Sequence, residues 1–162
     1  MKPKAAAFTK IIKQNEGVIY KITRIYTNTE DDQKDLYQEI VYQLWKSFDS
    51  FRGDAKVSTW MYRIALNTAL YHSKREKKKG YKVSLDNIVL QEENYDPVFE
   101  DRLKLVYAKI KILNDLEKGI MVLFLEGKKH EEIALIMGIS KTNVGTRISR
   151  IKEKLRTEIT KN

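Results

Sequence analysis

Several residue types are scarce in this sequence, and each shortage narrows what the protein can be. The 162 residues contain no cysteine, which excludes disulfides, thiolate zinc sites and a cysteine nucleophile. Two histidines, His72 and His130, are too few for a histidine-rich metal centre. Two prolines and seven glycines are fewer than a loop-rich or all-β protein uses. What remains is a basic composition with a formal net charge of +9, which favours a polyanionic partner such as nucleic acid.

Long hydrophobic runs are also missing. The longest apolar run is the six residues Ile120–Leu125, against about 20 for a membrane-spanning helix. The segment Met1–Phe8 carries positive charge but lacks the apolar stretch of a signal peptide. We therefore expect a cytoplasmic protein with no membrane insertion.

The hydrophobic periodicity predicts an all-α fold of two small helical domains. Residues 5–79 show apolar side chains at helical spacing and are interpreted as three helices, with Gly17 as a possible weak point in the first. Residues 81–101 are acidic and have weak periodicity, and the helical pattern then resumes. These changes predict a first domain at 5–80, an acidic linker at 81–101 and a second domain at 102–162.

The sharpest local pattern, at residues 130–149, is that of a helix-turn-helix. Gly138 is suited to the tight turn and Ser140 to the N-cap of the next helix. In that helix Val144, Ile148 and Ile151 form an inward stripe, while polar and basic side chains point away from it. Such groups read base edges and bind phosphates in a major groove, although a helical hairpin with a solvated polar face remains an alternative. The candidate DNA-binding residues are Lys141, Thr142, Asn143, Thr146, Arg147, Ser149 and Arg150.

The first half of the chain carries a resemblance to a known family. The segments Asp35–Phe48 and Phe51–Asn67 resemble region 2 of bacterial RNA polymerase sigma factors, most closely the extracytoplasmic-function (ECF) group. Leu125–Arg150 resembles region 4 of the same family. The two motifs occur in the family's order, and ECF members likewise join regions 2 and 4 by a linker. The resemblance implies a specificity and initiation subunit of RNA polymerase, which is not itself an enzyme.

The resemblance also implies which surface binds polymerase. The acidic helix at 31–48 would repel DNA phosphates, whereas in sigma factors the matching helix docks on the clamp helices of the β′ subunit. A solvated acidic face is the alternative interpretation. Region 4 of the family contacts the β flap and the promoter −35 element, and ECF members are commonly held by an anti-sigma factor. The residues that correspond in position to the polymerase-binding ones are Asp35, Gln38, Glu39 and Gln43.

By the same resemblance, the helix from Ser58 to Lys79 contacts the promoter −10 element. The turn at Phe51–Lys56 occupies the position of the family's specificity loop. Capture of unpaired bases requires a cationic groove with aromatic or polar pockets. Trp45 and Trp60 are interpreted as core residues instead. The candidate −10 residues are Arg52, Lys56, Arg63, Asn67, Tyr71, Lys74 and Arg75.

Enzyme functions find little support in the sequence. No Gly-rich phosphate loop is present, and nothing orients a catalytic triad, so no catalytic residue, cofactor or metal is predicted. Both histidines are interpreted as surface residues. The acidic residues Asp31, Asp32 and Asp35 could hold a divalent ion, but a bare acidic cluster is weak evidence for a site.

Two alternatives from other functional classes remain open. A stand-alone helix-turn-helix regulator would bind DNA as a dimer at a palindromic site, and a polymerase-binding decoy would lack promoter activity. One departure from the ECF pattern affects −35 recognition, because Gly145 stands where many members have a basic residue.

Overall fold

The computed structural model describes residues 3–51, 53, 56–78 and 105–160, with side chains up to Thr157. Within these ranges all regular structure is helical and no strand occurs, which confirms the all-α prediction. The chain divides into two compact units, residues 1–90 and 91–162. The predicted linker at 81–101 lies outside the described residues, and the domain boundaries stay a prediction.

Within its described residues, the first unit contains four α-helices where the sequence predicted three. They are α1 (Pro3–Gln14), α2 (Glu16–Tyr26), α3 (Glu30–Ser47) and α4 (Val57–Lys78), with a 3₁₀ turn at Phe48–Ser50. The prediction of one long first helix was wrong, and the break is at Asn15, before Gly17. Asn15 has left the helical conformation (φ −127°, ψ 20°), and its side-chain amide donates to the Ile11 carbonyl at 2.9 Å. Asparagine readily replaces a backbone hydrogen bond in this way.

The core of the first unit lies between α2, α3 and α4. Ile19 and Ile22 of α2 and Leu36, Ile40 and Leu44 of α3 are fully buried. The α4 face that meets them is lined by Met61, Ala65, Leu66 and Ala69. The two alanines allow α4 to approach its neighbours closely, and the opposite face of α4 is left exposed.

Aromatic rings close one end of this unit. The buried Phe8 ring packs edge-on against Trp45 at a centroid distance of 5.1 Å. Trp60 stacks on Phe51 at 4.8 Å. Both tryptophans pack in this cluster but are only half-buried, so they lie at the edge of the core and not within it as predicted.

In the second unit, residues 105–110 are helical and are called α5. The described helices that follow are α6 (Asp115–Leu125), α7 (His130–Met137) and α8 (Lys141–Thr160). Asn114 and Glu117 form a capping box at the start of α6. The core is formed by residues of α6, α7 and α8 that are at most 3% exposed: Ile120, Leu123, Ile133, Ile136, Val144, Ile148 and Ile151. Ala134 and Met137 of α7 are half-buried, whereas Ile136 is buried.

The turn between α7 and α8 has the predicted form. Gly138 ends α7 in the left-handed region with φ 71°. The Ser140 hydroxyl accepts a hydrogen bond from the Asn143 backbone N–H at 3.0 Å, which caps α8. Helices α7 and α8 therefore form a helix-turn-helix. None of the helices in the described part of the chain is long and apolar enough to cross a bilayer.

Candidate nucleic-acid and polymerase interfaces

Helix α8 presents a polar face on the side opposite its buried stripe. Lys141, Thr142, Thr146, Ser149 and Arg150 are exposed or half-buried at this surface. The two remaining candidates, Asn143 and Arg147, lie at the edges of the face. Every side chain predicted for −35 contact therefore reaches the surface of one helix.

Hydrogen bonds on α8 order part of this face. The Arg147 Nε–H donates to Asn143 Oδ1 at 3.0 Å, and Lys141 Nζ lies 3.1 Å from a carboxylate oxygen of Glu131 on α7. This hydrogen bond orients the Arg147 side chain along α8, and such ordering lowers the entropic cost of any contact that the side chain makes.

Gly145 faces the start of α7. A Cβ atom at Gly145 would lie 3.8 Å from Nδ1 of His130, an ordinary van der Waals distance. The glycine is therefore not required by close packing. The half-buried His130 ring covers this part of the recognition helix.

Helix α4 exposes a line of side chains that we call the α4 stripe: Arg63, Asn67, Tyr71, Lys74 and Lys78. Their spacings of three and four residues place them on one helical face. Tyr71 is 65% exposed, and Lys56, just before α4, is exposed as well. Four of the seven −10 candidates share this stripe. Arg52, a further candidate, lies outside the described residues.

The last −10 candidate, Arg75, takes part in a network with α3. Its Nη1 and Nη2 atoms donate to the two carboxylate oxygens of Glu39 at 3.1 and 3.2 Å. The hydrogen bonds to Glu39, and then the charge of that carboxylate, raise the pKa of Arg75 above its already high ordinary value. A polymerase candidate and a promoter candidate therefore bind each other.

His72 lies at the centre of this network, and its assignment to the surface was wrong. Its side chain is only 3% exposed, with Nε2 2.8 Å from Asp32 Oδ1 and Nδ1 3.0 Å from Glu39 Oε2. The interpretation failed because the neighbouring lysines suggested a solvated track, whereas the ring points between α3 and α4. Nothing in the local sequence pairs His72 with an acid about 40 residues away.

The outer face of α3 combines acidic, polar and apolar groups. Asp35, Gln38 and Gln43 all reach the surface of this helix. An apolar groove of about 430 Å³ runs beside them, lined by Phe8, Tyr37, Gln38, Val41, Tyr42 and Trp45. The sequence pattern did not predict this groove. Its only signal is that α3 carries more apolar and aromatic residues than the three that are buried in the core.

Two tyrosines give the groove polar atoms. Tyr42 is 57% exposed. Burial, and the negative charge of Glu16, raise the pKa of the half-buried Tyr37. The ordinary pKa of a tyrosine is already about 10, so this phenol is neutral at physiological pH and can both donate and accept a hydrogen bond.

The described residues form a helical protein of two units, with a helix-turn-helix in the second unit and a cationic face on α4 in the first. The Sigma-70 region 2 family model matches residues 11–79, and the Sigma-70 region 4 model matches residues 103–155. The ECF RNA polymerase sigma-E factor of Escherichia coli K12 is 30% identical, over 91% of this chain and 83% of that protein. That of Haemophilus influenzae is 28% identical, over 94% and 87%. The chain belongs to the ECF group of the sigma-70 family of RNA polymerase sigma factors.

Two solved structures share the fold. The sigma factor RpoE of Bartonella quintana, in complex with the anti-sigma factor NepR, superposes with a TM-score of 0.77 at 18% identity, covering 95% of this chain and 97% of that one. CnrH, in complex with the cytosolic domain of CnrY, gives 0.71 at 19% identity, covering 98% and 90%. As a sigma factor, the chain directs core RNA polymerase to promoters and helps to melt the −10 element.

Proposed function

We propose that this chain works in the cytoplasm, with α3 docking on the β′ clamp helices, the α4 stripe capturing the −10 element and α8 binding the −35 element. The observation that carries the proposal is the separation of surfaces within the first unit. Acidic and apolar groups occupy the outer face of α3, whereas cationic and aromatic groups occupy the exposed face of α4. One face suits a protein and the other suits nucleic acid.

The α3 face is matched to a protein partner by charge and by shape. The exposed carboxylate of Asp35 repels phosphates but attracts a basic protein surface. The adjacent groove offers apolar area and the Tyr42 ring, and aromatic anchors of this kind dominate binding at protein interfaces. The proposed direct contacts with polymerase are made by Asp35, Gln38 and Gln43.

The α4 stripe is matched to a melted strand. Tyr71 offers a stacking surface for an unpaired base, Asn67 offers an amide for base edges, and Lys74 supplies a cation for the backbone. Lys56 and Arg63 extend the cationic track toward the start of α4. In this role the stripe traps bases after polymerase-assisted opening.

Helix α8 is matched to duplex DNA. Thr142, Thr146 and Ser149 are short enough to approach base edges, and Arg150 is long enough to reach phosphates. With no side chain at Gly145, we propose that this helix makes fewer cationic contacts than a typical ECF recognition helix. The second unit is also the part that would meet the β flap.

The chain supplies recognition and positioning, while polymerase performs RNA synthesis. We assign no catalytic residue and no cofactor to it. Because two solved relatives are complexes with NepR and with a domain of CnrY, we also propose that a regulatory protein of the anti-sigma type binds this chain and competes with polymerase for the α3 groove.

The deciding experiment is in vitro transcription over random promoter fragments, using bacterial core RNA polymerase with and without the protein. Specific start sites that depend on the protein are expected, and their alignment would yield both promoter elements. Unchanged core activity, together with tight binding of the protein alone to palindromic duplexes, would instead support a dimeric regulator. Binding to core without any new start site would support a decoy.

Replacement of Asp35 by lysine is expected to weaken binding to core polymerase about tenfold, because it places a cation against a basic partner surface. Asp49→Lys is the matched control, since Asp49 is 76% exposed and pairs with Lys4 in a surface ion pair, which contributes little. Fluorescence titration of labelled protein with core measures both affinities. Equal affinities for the two variants would contradict docking through α3.

A further inference from the structure

We propose that His72, Glu39 and Arg75 form a positioning unit that fixes the C-terminal half of α4 against α3. In this proposal Glu39 and Arg75 act through each other and do not touch polymerase or promoter directly. We call these three residues with Asp32 the charged clasp. The inference rests on the proposed function, because it states how the −10 face is held relative to the polymerase-docking helix.

Hydrogen bonds join the members of the clasp, of which only His72 is buried; the side chains of Glu39 and Arg75 are 30% and 39% exposed. The His72 side chain is 3% exposed, and its two ring nitrogens lie at 2.8 and 3.0 Å from oxygens of Asp32 and Glu39. Both oxygens of Glu39 also accept from Arg75. To contact another molecule, Glu39 would have to break these hydrogen bonds. The buried His72 ring would then lose the carboxylate beside Nδ1, which costs free energy.

Both ring nitrogens of His72 have a carboxylate oxygen as their neighbour, so the ring is held from both sides. Arg75 Nη2 lies 3.3 Å from Nδ1, which is farther than the 3.0 Å to Glu39 Oε2, so Glu39 is the closer partner of Nδ1.

The spacing of the side chains at this centre is that of a hydrogen bond and not that of two metal ligands. Asp32, His72 and Glu76 bring three possible ligand atoms within 4.8 Å of one another. Two ligands of one tetrahedral zinc ion lie about 3.3 Å apart, given bonds of about 2.0 Å. The 2.8 Å separation of His72 Nε2 and Asp32 Oδ1 is the length of a hydrogen bond.

The clasp reaches the DNA-facing surface through Tyr71. The Arg75 guanidinium carbon lies 5.7 Å from the centroid of the Tyr71 ring, within range of a cation–π contact. Tyr71 and Lys74 flank His72 and Arg75 along α4 and are exposed. Fixing His72 and Arg75 on α3 therefore fixes the position of these two stripe residues with respect to the docking helix.

The first test separates polymerase binding from promoter opening. Glu39→Gln is expected to leave the affinity for core within about twofold, as for an uninvolved residue, and to lower promoter opening about tenfold, the effect of one charge-assisted hydrogen bond. The readouts are core titration and 2-aminopurine fluorescence in the −10 element. Asp31→Asn, an exposed acid of α3 outside the clasp, is the control. A loss of core affinity with normal opening would overturn the proposal.

A double-mutant cycle then tests whether the two residues act as one. If Glu39 and Arg75 act within the clasp, Glu39→Gln and Arg75→Gln combined lower opening little more than either alone. If each contacts a different molecule, the two losses multiply, as for independent sites. Multiplied losses would overturn the proposal.

The clasp can also be tested in the full-length protein without polymerase. Glu39→Gln is expected to speed amide hydrogen exchange in the C-terminal half of α4 relative to Asp31→Asn, because it removes a carboxylate that both His72 and Arg75 contact. Equal exchange in the two variants would overturn the proposal. Failure of the unmodified protein to direct transcription would contradict the proposed function instead, and this measurement would still decide whether the clasp holds α4.

Discussion

The two glycines of the helix-turn-helix serve different purposes at the residue scale. Gly138 has a φ of 71°, and no atom lies within 4 Å of the place that a Cβ atom would occupy, so backbone conformation alone requires glycine there. Gly145 lies inside α8 with helical geometry and has the His130 ring nearby. The first glycine therefore shapes the turn, and the second leaves α8 without a side chain beside the His130 ring.

Alanine substitutions of these glycines are expected to change stability in opposite directions. Gly138→Ala forces a Cβ into the left-handed region and should lower the free energy of unfolding by about 1–2 kcal/mol. Gly145→Ala removes a flexible residue from a helix and should raise it by up to about 1 kcal/mol. Chemical denaturation followed by NMR signals of α8 would measure both. A lower free energy of unfolding for Gly145→Ala would contradict this, and would show that the added Cβ atom is too close to the His130 ring.

At the scale of a single element, α4 has two different faces. Its buried face, with Ala65 and Ala69, packs on α2 and α3, and its exposed face is the α4 stripe. The clasp holds the C-terminal half of the helix, where the stripe carries Tyr71 and Lys74. A rigid helix presenting an aromatic ring beside a cation is suited to hold an unstacked base and its phosphate.

Two substitutions on the α4 stripe should separate stacking from charge. Tyr71→Ala is expected to lower promoter opening about tenfold by removing a stacking surface, with no change in the salt dependence of binding. Lys74→Gln should reduce the slope of log affinity against log salt concentration by about 1, with a weaker effect on opening. Holoenzyme binding and opening at several salt concentrations measure both. Equal salt slopes for the two variants would contradict these roles.

The sequence predicted the elements better than the contacts between them. Apolar spacing was sufficient for α3, α4 and the helix-turn-helix, because an amphipathic helix has a strong local signal. The break at Asn15 depends on a side-chain hydrogen bond that periodicity does not detect. The charged clasp joins His72 to Asp32 and Glu39, residues far apart in the chain, so no local pattern could predict it. The groove beside α3 depends on Phe8 of α1 meeting that helix.

For the whole molecule, the arrangement of charge matters more than the total of +9. Acidic groups are concentrated on α3, the part proposed to bind polymerase, whereas exposed cations are concentrated on α4 and α8. Free protein is therefore expected to bind DNA weakly and without strong sequence preference. Sequence-specific promoter binding is expected when polymerase holds both units, because two weak DNA contacts then act together and give tight binding.

Insertion of about half a helical turn between the −35 and −10 elements tests what sets the distance between the two units. An insertion of about 5 base pairs increases the distance between the two elements by about 17 Å and turns them to opposite sides of the duplex. The predicted linker at 81–101 would span up to about 70 Å if extended, so a simple tether would absorb this change. If polymerase fixes both units, transcription should fall at least about tenfold, since one element is lost. Run-off transcription from promoters with and without the insertion measures the effect. Comparable yields would show that the tether alone couples the two contacts.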